Sequence, residues 1–136
     1  MLVDTFHEIP ADGWSYEYAV TDSFTIDKPG HYHAVCANLR ASADYPYANI
    51  HLVFAITSPD GETVNVKVPV ALANKSGKWL GSGLGDVYTF QKTILHRKYF
   101  DQKGQYTVTI AQDMRLENLP SILAAGIRVE EQEGIY

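Results

Sequence analysis

The sequence predicts an all-β protein, a single-domain antiparallel β-sandwich of about seven strands. Three observations carry that expectation. Apolar residues recur at every second position through most of the chain, turn residues punctuate these runs, and no stretch keeps the 3.6-residue period of a long helix. With 136 residues, 46% of them hydrophobic, the chain is one domain's worth. A chain of that size buries roughly two-thirds of its extended surface and needs no disulfide or metal to hold it together.

Taken in order, Trp14, Tyr16, Tyr18 and Val20 alternate with Ser15, Glu17 and Ala19, which predicts a strand with one aromatic face. Thr21-Asp22-Ser23 is a polar pause before Phe24 and Ile26, and Lys28-Pro29-Gly30 is a turn. His31 to Leu39 forms a second strand and Ile50 to Thr57 a third, apolar enough to be central. Ser58-Pro59-Asp60-Gly61 carries the strongest local signal: proline presets the first corner, Asp suits the second, and Gly accepts the left-handed geometry that follows. Val64, Val66, Val68 and Val70 then alternate with Thr63, Asn65, Lys67 and Pro69, completing a hairpin with one valine face. Pro69 has no N–H to give a neighbour, so its strand belongs at an edge, or the residue at a strand end. Val87–Leu95 and Gln105–Gln112 are the next strands, joined by the turn Asp101-Gln102-Lys103-Gly104. Residues 113–121 read as a loop closed by Leu119-Pro120. Ile122 to Glu130 is the closing strand, although Ile122-Leu123-Ala124-Ala125 alone has helical propensity. Jelly-roll and immunoglobulin-like sandwiches both accommodate this pattern.

Eleven Lys and Arg against 16 Asp and Glu give a net charge of −5, and the basic residues are scattered apart from His96-Arg97-Lys98. A nucleic-acid partner needs a clustered basic face, so none is expected. Cys36 is the single cysteine, which excludes an internal disulfide but does not report the compartment. No apolar run approaches the ~20 residues that cross a bilayer. Met1-Leu2-Val3-Asp4 lacks the charged and apolar regions of a signal peptide, so either the protein is cytosolic or its natural start has been removed.

His31-Tyr32-His33 is the sharpest chemical motif. Alternate residues of a strand face the same way ~6.6 Å apart, so the two imidazoles are placed to share a metal, with His51 or His96 as a third ligand. Cupin-type sites add a Glu several residues on; here Ala34-Val35-Cys36-Ala37-Asn38 has no carboxylate. The plainer reading is a pair of solvent-facing histidines beside a turn. Cys36 lies in an apolar strand and reads as a small buried hydrophobe rather than a nucleophile. Gly81-Ser82-Gly83-Leu84-Gly85 has neither the Lys-Ser/Thr of a P-loop nor a following helix, so it is no phosphate loop. Glu62, Glu117 and Glu130 read as ordinary solubilising charge, and no carboxylate pair stands out.

The Gly77–Asp86 stretch sets Trp79 and Leu80 in a backbone able to bend almost anywhere. Trp79 there is either a plug of the core or an exposed anchor for a partner. Asp44-Tyr45-Pro46-Tyr47 is a second aromatic cluster, suited to stacking on a sugar or a protein, or to capping the core. Trp79, Leu80, Tyr45 and Tyr47 are therefore the candidate interaction residues, and no catalytic, cofactor or metal site is expected.

Several of these stretches, taken together and in order, resemble GldH, the gliding-motility-associated lipoprotein family. The likeness runs from about Asp12-Gly13-Trp14 to Glu130. Its carriers are Asp44-Tyr45-Pro46-Tyr47-Ala48-Asn49, Ser58-Pro59-Asp60-Gly61, Gly77-Lys78-Trp79-Leu80-Gly81 through Gly83-Leu84-Gly85-Asp86, Gln112-Asp113-Met114-Arg115 with Leu119-Pro120, and Gly126-Ile127-Arg128-Val129-Glu130. The resemblance implies a signal peptide ending in a lipidated cysteine ahead of this sequence, residues 1–13 as a tether region, and 14–136 as the sandwich. It also implies a lipid-anchored place in the cell envelope, at the outer membrane and facing the periplasm. The implied partners are other envelope lipoproteins or proteins of the gliding and linked secretion machinery, with no enzymatic activity and no membrane contact except through the anchor. Relatives occur in non-gliding bacteria as well. Two rival readings remain at this point: a carbohydrate-binding module stacking sugars on Tyr45, Tyr47 and Trp79, and a cupin-like metal protein built on His31 and His33.

Overall fold

The computed structural model describes residues 2–132, and among these the chain forms twelve strands and no helix. In chain order they are β1 (Val3–Asp4), β2 (His7–Glu8), β3 (Trp14–Ser15), β4 (Val20–Ile26), β5 (His31–Ser42), β6 (Asn49–Thr57), β7 (Thr63–Ala71), β8 (Ser82–Leu84), β9 (Val87–Phe100), β10 (Gly104–Gln112), β11 (Asn118–Leu119) and β12 (Ile122–Gln132). One sheet has the order β1-β12-β5-β9-β8, with β2 also on β12; the other has the order β4-β10-β6-β7. β3 and β11 pair separately, and every pairing is antiparallel.

The period of two decides which side chains enter the core. Val35, Ala37 and Leu39 of β5, with Ile127 and Val129 of β12 and Phe90 of β9, meet Phe24 of β4, Phe54 and Ile56 of β6 and Val108 and Ile110 of β10 in one buried cluster. Each large apolar side chain so enclosed is worth ~1.5–3 kcal/mol relative to leaving it in water. Phe24, Phe100 and Tyr106 close one end of this core as an aromatic triplet, with centroids 4.8 to 5.4 Å apart.

The SPDG turn folds as its residues dictate. The Ser58 N–H donates to the Glu62 carbonyl at 2.8 Å, the Gly61 N–H to the Ser58 carbonyl at 2.9 Å, and Gly61 has φ +90°. β7 is an edge strand, and Pro69 sits on it. Burial along its valine face grows from exposed Val64 to fully buried Val70.

Four expectations are corrected. Trp14 to Val20 is not one strand with an aromatic face: after β3 the chain turns, Trp14 is fully buried, and Tyr16 and Tyr18 are exposed. The indole N–H of Trp14 donates to the Tyr18 carbonyl at 2.9 Å, closing that turn around the ring. Thr21-Asp22-Ser23 is no pause but part of β4, with Asp22 turned inward. The strand expected to end at Leu95 continues to Phe100 through a bulge at which Arg97 takes φ +51°. Seven strands run for seven residues or more, but five of only two or three residues bring the total to twelve.

The N-terminal stretch expected as a tether carries β1 and β2. The Leu2 N–H donates to Val129, Val3 pairs with Val129, His7 pairs with Ala125, and the Ile9 N–H donates to Leu123. The segment therefore enters at the pole formed by residues 27–30, 58–62 and 101–103, and runs to the opposite pole. That second pole carries residues 43–48, 72–81, 85–86 and 113–117 and is called the loop pole below.

Candidate interaction surface

The glycine-rich connection after β7 is built from hydrogen bonds. The Asn74 side-chain oxygen accepts the N–H groups of Ser76 and Lys78 at 2.9 and 3.0 Å, while the Asn74 N–H donates to the Lys78 carbonyl at 2.9 Å. This turn brings Ala73 and Trp79 into a bridge, and the Leu80 N–H reaches the Leu72 carbonyl at 2.9 Å. A side chain at Gly81 would put its Cβ 2.5 Å from the Thr89 carbonyl oxygen, so only glycine lets the chain cross onto β9 there.

Trp79 is half-buried. Its ring stacks on Tyr88 at 5.0 Å with 18° between planes and leans on Phe90 at 6.3 Å. Leu80 beside it is 55% exposed, and Leu84, at the end of β8, is 86% exposed. Tyr45 is buried in the core, with its hydroxyl donating to the Asn49 carbonyl at 2.8 Å; burial pushes its phenol well above the ordinary range, and Tyr47 adds to the shift. Tyr47 is exposed and meets Tyr45 edge-on, at 5.6 Å and 75°.

Backbone bonds join these loops into one surface. The Ala43 N–H donates to Asp86, and the Ala48 carbonyl accepts from both Leu72 and Ala73. All four sequence-predicted residues lie in loops of this pole, Tyr47 and Leu80 exposed, Tyr45 buried and Trp79 partly buried against the core. Among the described residues Leu84 is the most exposed large apolar side chain, and its signal in the sequence is the Gly83-Leu84-Gly85 setting.

The same pole holds an open cleft of about 730 Å³ whose lining includes Tyr16, Glu17, Arg115, Leu116 and Glu117. Gln112 braces its loops from below. The buried Gln112 amide donates to the carbonyls of Trp14 and Leu116, and its oxygen accepts the Met114 N–H at 2.9 Å. Nothing in the local sequence marks Gln112 for that role.

The histidine motif is split by its surroundings. His31 is half-exposed and pairs with Glu131 at 3.0 Å. His33 is not solvent-facing: it is buried, packs edge-on against Phe100 at 5.3 Å, and its Nδ1 bonds the His31 carbonyl at 3.1 Å. Burial holds the His33 pKa below its usual value, opposed by that carbonyl bond. Cys36 is buried with its Sγ 3.5 Å from the Thr93 hydroxyl. Among the described residues no three His, Cys, Asp or Glu side chains are grouped to hold a metal. Tyr45, Tyr47 and Trp79 do not form a coplanar exposed strip, since Tyr45 is buried, Tyr47 stands edge-on to it, and Tyr88 covers one face of Trp79.

The family model of the GldH lipoprotein matches residues 1–129. A gliding motility lipoprotein GldH homolog from Christiangramia forsetii is 31% identical over 103 residues, covering 71% of this chain and 64% of the relative. The gliding motility lipoprotein GldH of Flavobacterium johnsoniae is 29% identical over 128 residues, covering 88% of this chain and 79% of that protein. The chain thus spans just under two thirds of the first relative's length. With a match running through nearly all of the sandwich, the chain belongs to the GldH lipoprotein family.

Proposed function

We propose that this domain is a non-enzymatic contact module of an envelope lipoprotein, supporting the assembly or stability of gliding machinery and its linked secretion apparatus. The observation that carries the reading is the loop pole: exposed Leu80 and Leu84 lie on the same hydrogen-bonded segment as Trp79, which stacks on Tyr88, away from the pole where β1 begins. Apolar and aromatic side chains on a rigid base suit protein contact, because little conformational freedom is lost on docking. Family membership and the names of the relatives supply the gliding context. A lipid anchor ahead of residues 1–13 would hold the first pole toward the outer membrane and present the loop pole to the periplasm.

The test is recovery of partners from the protein's own envelope. Lipidated wild-type protein is compared with a Leu80→Asp/Leu84→Asp variant. Both leucines are solvent-exposed, so the variant should unfold at nearly the wild-type temperature while losing at least tenfold of its specifically recovered partners. Undiminished recovery would remove the loop pole from the account.

A further inference from the structure

We infer that residues 2–9 are a load-bearing clamp: tension between an anchored N-terminal side and a partner on the loop pole passes through them into both sheets. This deepens the proposed reading and rests on it, since that reading puts an anchor ahead of residue 1 and a partner at Leu80 and Leu84.

The direction of the segment follows from its register. β12 runs from Ile122, paired with Ala41, to Gln132, paired with Tyr32. Residues 2–9 lie antiparallel to it, from the Leu2 N–H on the Val129 carbonyl to the Ile9 N–H on the Leu123 carbonyl. They therefore run in the same direction as β5, one strand away, toward the loop pole where β5 ends at Ser42. Ladder hydrogen bonds stand perpendicular to their strands. A pull on residue 2 away from the loop pole thus loads the bonds to Val129, Ile127 and Leu123 in shear, so that they share the load and must yield together. Residue 2 and Gln132 leave the ladder at the same end, and a pull between them would open those bonds one at a time.

Side chains carry the load beyond the sheet edge. Only the four residues of β1 and β2 pair with β12 as strand, and between them Thr5 is held from three sides. Its hydroxyl donates to Asp22 of β4 at 2.7 Å and accepts the Ile127 N–H at 3.1 Å, while its carbonyl accepts the Asn38 amide at 3.0 Å. Asp4 accepts from the same Asn38 amide at 2.8 Å and pairs with Arg128 of β12 at 3.1 Å. His7 bonds the Asp22 carboxylate at 2.6 Å, and Ile9 is buried in the core. Tension entering at residue 2 therefore reaches β12, β5 and, in the other sheet, β4 before residue 10. A strand that only closed the sheet edge would need none of these cross-strand side-chain bonds.

Single-molecule force spectroscopy on the whole chain tests this. One handle precedes Met1. The second either replaces exposed Asp44, just beyond β5, or follows Tyr136, so that load reaches β12 at Gln132. Forced unfolding reads the unfolding barrier rather than the equilibrium stability. At one loading rate, pulling between Met1 and Asp44 should need about twofold more force, or greater, than pulling between Met1 and Tyr136. Asn38→Ala and Thr5→Val should each lower the rupture force between Met1 and Asp44. Gly61→Val, with a comparable loss of equilibrium stability in the β6–β7 hairpin, should leave it unchanged. Thr5→Val carries the comparison if Asn38→Ala does not fold. Equal forces along the two directions, or an equal weakening by Gly61→Val, would overturn the proposal. Undiminished partner recovery with Leu80→Asp/Leu84→Asp would remove the loop pole and leave the measured clamp standing, so the two fail separately.

Discussion

The side-chain amide of Asn38 donates to the carbonyl oxygen of Thr5 at 3.0 Å, fastening the N-terminal segment to the middle of the central strand β5. The same amide donates to Asp4 at 2.8 Å, and the Asn38 oxygen accepts from Gln91 on β9 at 3.0 Å. Opposite Asn38 on β12 is Gly126, where a Cβ would sit 2.0 Å from the Thr5 oxygen. Thr5 also donates to Asp22 on β4 at 2.7 Å, and His7 bonds the same carboxylate at 2.6 Å. One short segment therefore ties both sheets together.

Gly126→Ala is expected to push that segment off β12 and cost about 1–3 kcal/mol, as overpacking does. Asn38→Ala should cost a similar ~1–3 kcal/mol by leaving the Thr5 carbonyl and the Gln91 amide without their partner. The double variant should lose less than the sum, because both changes damage one network. Urea unfolding of the four proteins measures all three quantities.

The hairpin of β6 and β7 was readable because its residues agree at every level: strict alternation, a turn whose positions need proline and glycine, and a proline tolerable only outside the ladder. The stretch from Trp14 to Tyr18 misled because alternating aromatics look the same whether they line one strand face or, as here, one is buried and two project from a turn. Strands of two residues have no period to read. The Asn38 network was invisible for another reason: its partners lie 33 and 53 residues away, brought together only by sheet order. Glycine density exposed Trp79 and Leu80 as unusual, but not the stacking on Tyr88, and a tyrosine beside proline does not announce whether it faces in, as Tyr45, or out, as Tyr47.

The two tryptophans should respond differently to truncation. Trp14→Ala empties a fully buried site and is expected to cost about 3–5 kcal/mol. Trp79→Ala removes a half-buried ring and its stacking, for about 1–2 kcal/mol. Thermal or denaturant unfolding distinguishes them, and an equal loss would mean that the exposed face of Trp79 has been misjudged.

Gly61 isolates a backbone effect. A Cβ there meets nothing within 4 Å, so Gly61→Val should cost about 1–2 kcal/mol purely through its positive φ. Gly61→Asn should cost less, since Asn enters the left-handed region more readily.

His33 makes stability depend on pH in a definite direction. Its folded pKa lies below the unfolded value of 6.5, chiefly because burial disfavours the cation. The folded state thus binds fewer protons, and the His33 contribution is fully present above pH 6.5 and declines as pH falls from there toward the folded pKa. A His33→Gln variant should lose less stability than wild type between pH 7 and 5, as read by denaturation midpoints. Parallel curves would show that His33 does not contribute this dependence.

Site-specific photo-crosslinking of the lipidated protein in its own envelope tests the central claim most directly. A photoreactive residue replaces Leu84 at the loop pole in one variant and Tyr99, exposed near the pole where the N-terminus enters, in another. The account predicts a discrete protein adduct from position 84, abolished by Leu80→Asp, with no adduct of that size from position 99. Adducts of equal yield from both positions, or none from position 84, would contradict it.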